Sequence, residues 1–142
     1  MKNIKKISLF VLLLSLLSIV LVGCQSKVSK EVSDVTIKKV SISKSSGFDK
    51  FNSDDFFAVY EDKETLDIFK NAISSAVKGN GIVDMVSPEF DLEVMYTDGT
   101  KRGYHLWLRE KGRKSILMHV GNSHVIYSLS EEITNQLVDL IN

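Results

Sequence analysis

The chain is poor in several residue types, and each shortage removes a class of explanation. Among 142 residues there is one cysteine and one proline, aromatics make up 8%, and 18 Lys+Arg balance 18 Asp+Glu. One cysteine permits no intramolecular disulfide and no thiolate cluster for zinc. One proline excludes a Pro-rich adaptor or a collagen-like fibre, and 44% apolar content excludes a disordered tail. A balanced charge gives no electrostatic footprint for nucleic acid. Even the most apolar stretch is short. Ile7–Val22 spans sixteen residues, about 24 Å as a helix against a hydrocarbon core of roughly 30 Å. The length suits a single domain.

What is present begins at the N-terminus. Lys2, Lys5 and Lys6 precede the apolar run, which holds Leu12-Leu13-Leu14 and Leu16-Leu17. A basic start and a short apolar core describe a signal peptide better than a stable span. The run closes on Leu21-Val22-Gly23-Cys24, which resembles the lipobox of bacterial lipoproteins. That resemblance implies a covalent diacylglycerol, with palmitate-like chains, on the Cys24 thiol, followed by cleavage that leaves Cys24 as the first residue. A thiolate is the nucleophile such chemistry needs, and Gly23 leaves the backbone accessible to a peptidase. The expected organisation is a signal peptide at 1–23, a lipidated Cys24 with a polar tether at 24–33, and one extracytoplasmic domain at 34–142. Two or more acyl chains hold a protein stably where one holds marginally. The expected address is therefore the outer face of a cell membrane, and the residue usage suits a Gram-positive one. Loss of the leader and its three lysines leaves 15 basic groups against 18 acidic ones, a net −3. A lipidated Cys24 also leaves no thiol for chemistry, and no other cofactor is expected.

Beyond the tether, periodicity predicts an α+β domain of about six strands in the order β-β-α-β-β-β-β-α. Val35, Ile37, Val40 and Ile42 mark a first strand in which Lys38-Lys39 breaks strict alternation, as at a bulge or an edge. Phe56–Tyr60 reads as a short strand after a polar loop that carries Phe48 and Phe51. Asp62 fits a helix N-cap, and the stripe Leu66, Phe69, Ile73, Ala76, Val77 predicts a helix over 63–78. Four alternating runs follow: Asp91–Tyr96, Gly103–Leu108, Ser115–Val120 and Val125–Leu129. Ser130 fits the cap of a last helix with Ile133, Leu137, Leu140 and Ile141 inward.

The alternation assigns faces. Leu92, Val94, Tyr96, Tyr104, Leu106, Leu108, Ile116, Met118, Val120, Val125, Tyr127 and Leu129 are expected to meet the two helices on one side of an antiparallel sheet. Keeping them together calls for Leu92 opposite Leu108 or Leu106, and hence an odd-length loop around Asp98-Gly99. The other face would show Glu93, Met95, His105, Trp107, Leu117, His119 and Ile126. If Leu108 faces Ile116, His105 faces His119 with Cβ atoms about 5 Å apart.

Two readings of that face compete with a plain one. Met95, His105, Trp107, Leu117, His119 and Ile126 could form a contact patch for an envelope or protein partner. Alternatively, His105, His119 and Glu93 could hold a metal or support hydrolysis. The plain reading is that another segment, such as the Lys44–Asp55 loop, covers the face. Catalytic motifs are lacking. Ser41-Ile42-Ser43-Lys44 and Ser75-Ala76-Val77-Lys78 match S-x-x-K by chance, with no K-T-G behind them. There is no G-x-S-x-G, no H-E-x-x-H and no phosphate-binding glycine loop. Asp49, Asn52, Asp54 and Asp55 share a loop without the glycine of a calcium-binding hand. The chain is expected to be no enzyme.

At Gly81-Ile82-Val83-Asp84-Met85, Pro88-Glu89-Phe90-Asp91-Leu92-Glu93-Val94 and Tyr104-His105-Leu106-Trp107-Leu108, the chain resembles the small YhfM-type lipoproteins of Bacillus and relatives. The resemblance runs from about Val35 to the C-terminus. It implies a membrane-anchored extracytoplasmic domain and brings no functional residues with it. The function expected is non-catalytic binding of an envelope component through the Trp107/His105 face or the apolar Ile82–Val86 loop.

Overall fold

Among the described residues, runs of alternating polarity pair into one antiparallel sheet of seven strands. The computed structural model describes residues 35–79, 84–122 and 124–142. The leader, Cys24, the tether, Ile82 and Val83 lie outside the described residues. In chain order the strands are β1 (Ile37–Lys44), β2 (Phe56–Tyr60), β3 (Val77–Lys78), β4 (Phe90–Tyr96), β5 (Lys101–Trp107), β6 (Ile116–His119) and β7 (Ile126–Ser128). Helix α1 (Lys63–Ser75) lies between β2 and β3, and α2 (Glu131–Ile141) ends the chain. Across the sheet the order is β2-β1-β4-β5-β6-β7-β3. Among the described residues, no helix is long and apolar enough to cross a membrane.

The helix caps follow from side-chain chemistry. Asp62 accepts from the Thr65 amide at 2.9 Å, and Ser130 accepts from the Ile133 amide at 3.1 Å. Those bonds from Thr65 hold the Asp62 carboxyl below its usual range. Helix α1 stops at Ser75 rather than 78. Val77 and Lys78 leave it to pair with Ser128 and Tyr127, adding a seventh strand at the sheet edge. The expected break near Lys38 is present, as a register shift between Ile37 and Lys39 against β4.

The helices cover one face of the sheet. Val40, Ile42, Phe90, Leu92, Val94, Tyr104, Leu106 and Leu117 pack there against Leu66, Phe69, Ile133 and Leu137. Tyr60 donates its hydroxyl to the Leu140 carbonyl at 2.6 Å, tying β2 to the end of α2.

Register departs from expectation in two places. Leu92 faces Tyr104, and Phe90 faces Leu106, a pairing two residues tighter than Leu92 opposite Leu106 and four tighter than Leu92 opposite Leu108. The connection is odd in length all the same. Tyr96 donates to Thr100 O, so Thr97, Asp98 and Gly99 make the turn, and Gly99 takes φ +85°. Between β5 and β6 the slip is one residue: Trp107 faces Ile116, and Tyr104 faces His119. One residue inverts a strand. Leu117 therefore joins the helix-side core, His119 sits beside Tyr104 on that side with ring centroids 5.3 Å apart, and Met118 points the other way.

Tyr104 carries a measurable consequence of that core. Burial, and then the nearby Tyr96 phenol, push its hydroxyl up to about 12. The folded state thus holds this proton more tightly than the unfolded chain does. Its contribution is whole below the ordinary tyrosine value near 10 and is lost as pH climbs towards about 12. Titration of phenolate absorbance should show a tyrosine ionising near 12 that Tyr104→Phe removes, with stability falling over the same range. A titration unchanged by Tyr104→Phe at its high-pH end would contradict this.

Candidate functional site

On the face away from the helices, β1, β4 and β5 bring three polar side chains into one row. Ser43 is the cross-strand partner of Asp91, and Asp91 is the partner of His105. Asp91 is 0% exposed and His105 2%. His105 Nδ1 lies 2.7 Å from Asp91 Oδ1, while Asp91 Oδ2 accepts from the Asn52 amide at 2.8 Å. A carboxylate accepting on both oxygens assigns the ring proton to Nδ1. Ser43 Oγ donates to the Asn52 carbonyl at 2.6 Å. The backbone of Asn52 is therefore held from both sides by the row beneath it.

That grip draws the Lys44–Asp55 loop across the sheet. Phe48 stacks edge-on to His105 and tilts against Trp107, with centroids 6.3 and 5.7 Å away, and Phe51 meets His105 at 6.4 Å. Gly103 makes room for it. A Cβ there would stand 3.1 Å from both Phe51 Cε2 and Val120 Cγ2. Trp107, 2% exposed, donates its indole N–H to the Val86 carbonyl at 2.7 Å. The segment around Val86 thus closes the far side.

The sequence candidates are distributed as follows. Met95, His105, Trp107 and Ile126 belong to the face opposite the helices, whereas Leu117 and His119 belong to the helix side. The six do not form one surface patch, because β6 is inverted and His105 and Trp107 are buried. His105 and His119 point to opposite faces, and Glu93 pairs with Lys101 at 3.0 Å. The three residues of the alternative metal reading are thereby kept apart. Among the described residues, no three His, Cys, Asp or Glu side chains are placed to hold a metal ion. His105 finds Asp91 where Glu93 or Met95 was expected, because the β4–β5 turn is tighter.

An Asp–His pair can orient an imidazole and stabilise its cation, leaving the second ring nitrogen for proton transfer. Transfer needs a reactant within hydrogen-bond reach, and here aromatic rings line that approach. A cleft of about 600 Å³ lies elsewhere, lined by Glu89, Leu108, Arg109 and Arg113 among others.

Fold and site together define a two-layer α+β domain whose buried ionisable pair is roofed by its own loop. The chain belongs to the YhfM protein family, which it matches over residues 33–142. No curated protein matches it. In fold it is similar to the crystal structure of a thioesterase-like protein from Clostridium sporogenes, with a TM-score of 0.53 and 20% identity. The likeness covers 75% of this chain and 94% of that one. At such identity it speaks to the fold alone.

Proposed function

We propose that this chain is a lipid-anchored extracytoplasmic domain that acts without catalysis, holding a protein or other envelope component near the outer face of a cell membrane. The observation behind the non-catalytic reading is the enclosure of Asp91 and His105 beneath Phe48 and Phe51. Anchoring rests on the basic, apolar leader and its Leu21-Val22-Gly23-Cys24 ending. A tethered domain can act by occupancy, because the tether raises its effective concentration beside other membrane proteins. In this reading the only attached group is the diacylglycerol on Cys24, and nucleic acid is no partner. Contact with the partner falls to exposed strands and loops, since Trp107 and His105 are buried.

Expressed at full length in a Gram-positive host, the chain is expected to sediment with membranes and to need detergent for release. Cys24→Ala should lose metabolic labelling by palmitate and leave that fraction. Wild-type chain recovered in the soluble fraction with a free thiol would remove the anchoring reading.

The buried pair also supports a second reading, a hydrolase of acyl thioesters, prompted by the thioesterase-like neighbour in fold. His105 would then act as the base once Phe48 swings aside. Turnover of an acyl thioester that disappears in His105→Gln would replace the binding reading, and turnover equal in both proteins would retain it.

A further inference from the structure

Strand β2 ends the sheet, so one of its edges has no partner strand among the described residues. Proteins commonly protect such an edge with an internal charge, a proline, a bulge or brevity. The opposite edge, β3, is two residues long and includes Lys78. Strand β2 has a register shift at Phe57, between its Ala58–Ile42 and Phe56–Ser43 pairs, but no other such device: Phe56-Phe57-Ala58-Val59-Tyr60 is uncharged and free of proline and glycine. Phe57 and Val59 are 49% and 53% exposed. Charge gathers instead at its two ends, with Asp54 and Asp55 before it and Glu61 and Asp62 after it, all exposed.

This pattern selects a partner. A second copy of the chain pairing antiparallel about Ala58 would set Asp55 opposite Glu61 and Asp54 opposite Asp62. Like charges directly opposite one another destabilise a strand pair. The inner edge of β2 shows what suits it. Its neighbour β1 is basic at both ends, with Lys38 and Lys39 beyond the Val40–Tyr60 pair and Lys44 beyond the Ser43–Phe56 pair.

We propose that the outer edge of β2 docks an extended polypeptide segment from another protein, apolar in the middle and basic at both ends, as an eighth, antiparallel strand. Backbone hydrogen bonds supply the attraction, Phe57 and Val59 cover the apolar centre, and the acidic ends set register and disfavour self-pairing about Ala58. The proposal rests on the binding reading above and names its surface.

The test uses the full chain in detergent micelles and a labelled heptapeptide with the sequence of residues 38–44. Saturable binding is expected, with amide exchange slowed at least tenfold at β2 and unchanged at β3. The same peptide with each lysine replaced by glutamate should bind at least tenfold more weakly. Phe57→Lys should weaken binding of the original peptide similarly while leaving the unfolding temperature within a few degrees. Equal binding of both peptides, or protection away from β2, would overturn the proposal. So would a concentration-dependent dimer of the chain alone that Phe57→Lys abolishes, because the edge would then belong to a second copy. None of these failures touches retention of the wild-type chain in membranes, which tests anchoring separately.

Discussion

Trp107→Ala is expected to destabilise the domain by about 3–5 kcal/mol, the range for removing a large buried aromatic. That corresponds to a fall of roughly 12–20 °C in unfolding temperature for a domain of this size. The expectation follows from burial on the sheet face that alternation marked as a contact surface. The indole is 2% exposed, packs against Phe48 and His105, and spends its N–H on the Val86 carbonyl. Thermal unfolding followed by circular dichroism measures the loss. A fall of only a few degrees would restore Trp107 as a surface residue and return the contact patch to consideration.

Asp91→Ala is expected to cost a similar amount, about 3–5 kcal/mol, for a different reason. It removes no large apolar volume. It leaves a buried imidazole and the Asn52 amide without their acceptor, and orphaned buried donors carry their full desolvation cost. Asp91→Asn keeps one acceptor oxygen and should lose much less. The double variant Asp91→Ala/His105→Leu should regain part of the loss, since removing both partners is gentler than removing one. Urea midpoints at an unchanged m-value would establish the series. Near-wild-type stability of Asp91→Ala would mean that Ser43 and the loop's phenylalanines hold it without the carboxylate.

How much of this was legible in the sequence depends on the range of the signal. Caps are local, so Asp62 and Ser130 were readable from their neighbours alone. Strand existence and facing on β4, β5 and β7 were readable because period-2 alternation is strong there. Register was not, because alternation limits pairings by parity while turn length chooses among them. The signal for the β4–β5 turn was nonetheless present. Asp98-Gly99 in a three-residue loop, with Gly99 left-handed at φ +85°, sets Asp91 opposite His105 and leaves Glu93 for Lys101. For β6, a connection from Leu108 through Ser115 hides the one-residue slip that sends Leu117 and His119 to the helix side. Val77–Lys78 is too short to show any period, and only its pairing with β7 makes it a strand. Cover by the Lys44–Asp55 loop, the plain alternative at the outset, is what the structure contains. Its apolar content, Phe48 and Phe51, was visible, but its anchoring through the Asn52 backbone was not, since Ser43 and Asp91 reach it only once the strands align.

The position of the indole has an optical consequence. It is the chain's single tryptophan, and it touches two separate loops, one through the Phe48 ring and one through the Val86 carbonyl. Its emission therefore reports on the roof of the sheet rather than on the helix layer. Opening of either loop would admit water and red-shift the fluorescence while the backbone circular dichroism stayed constant. The protein carries its own reporter for a motion that a probe of secondary structure would miss.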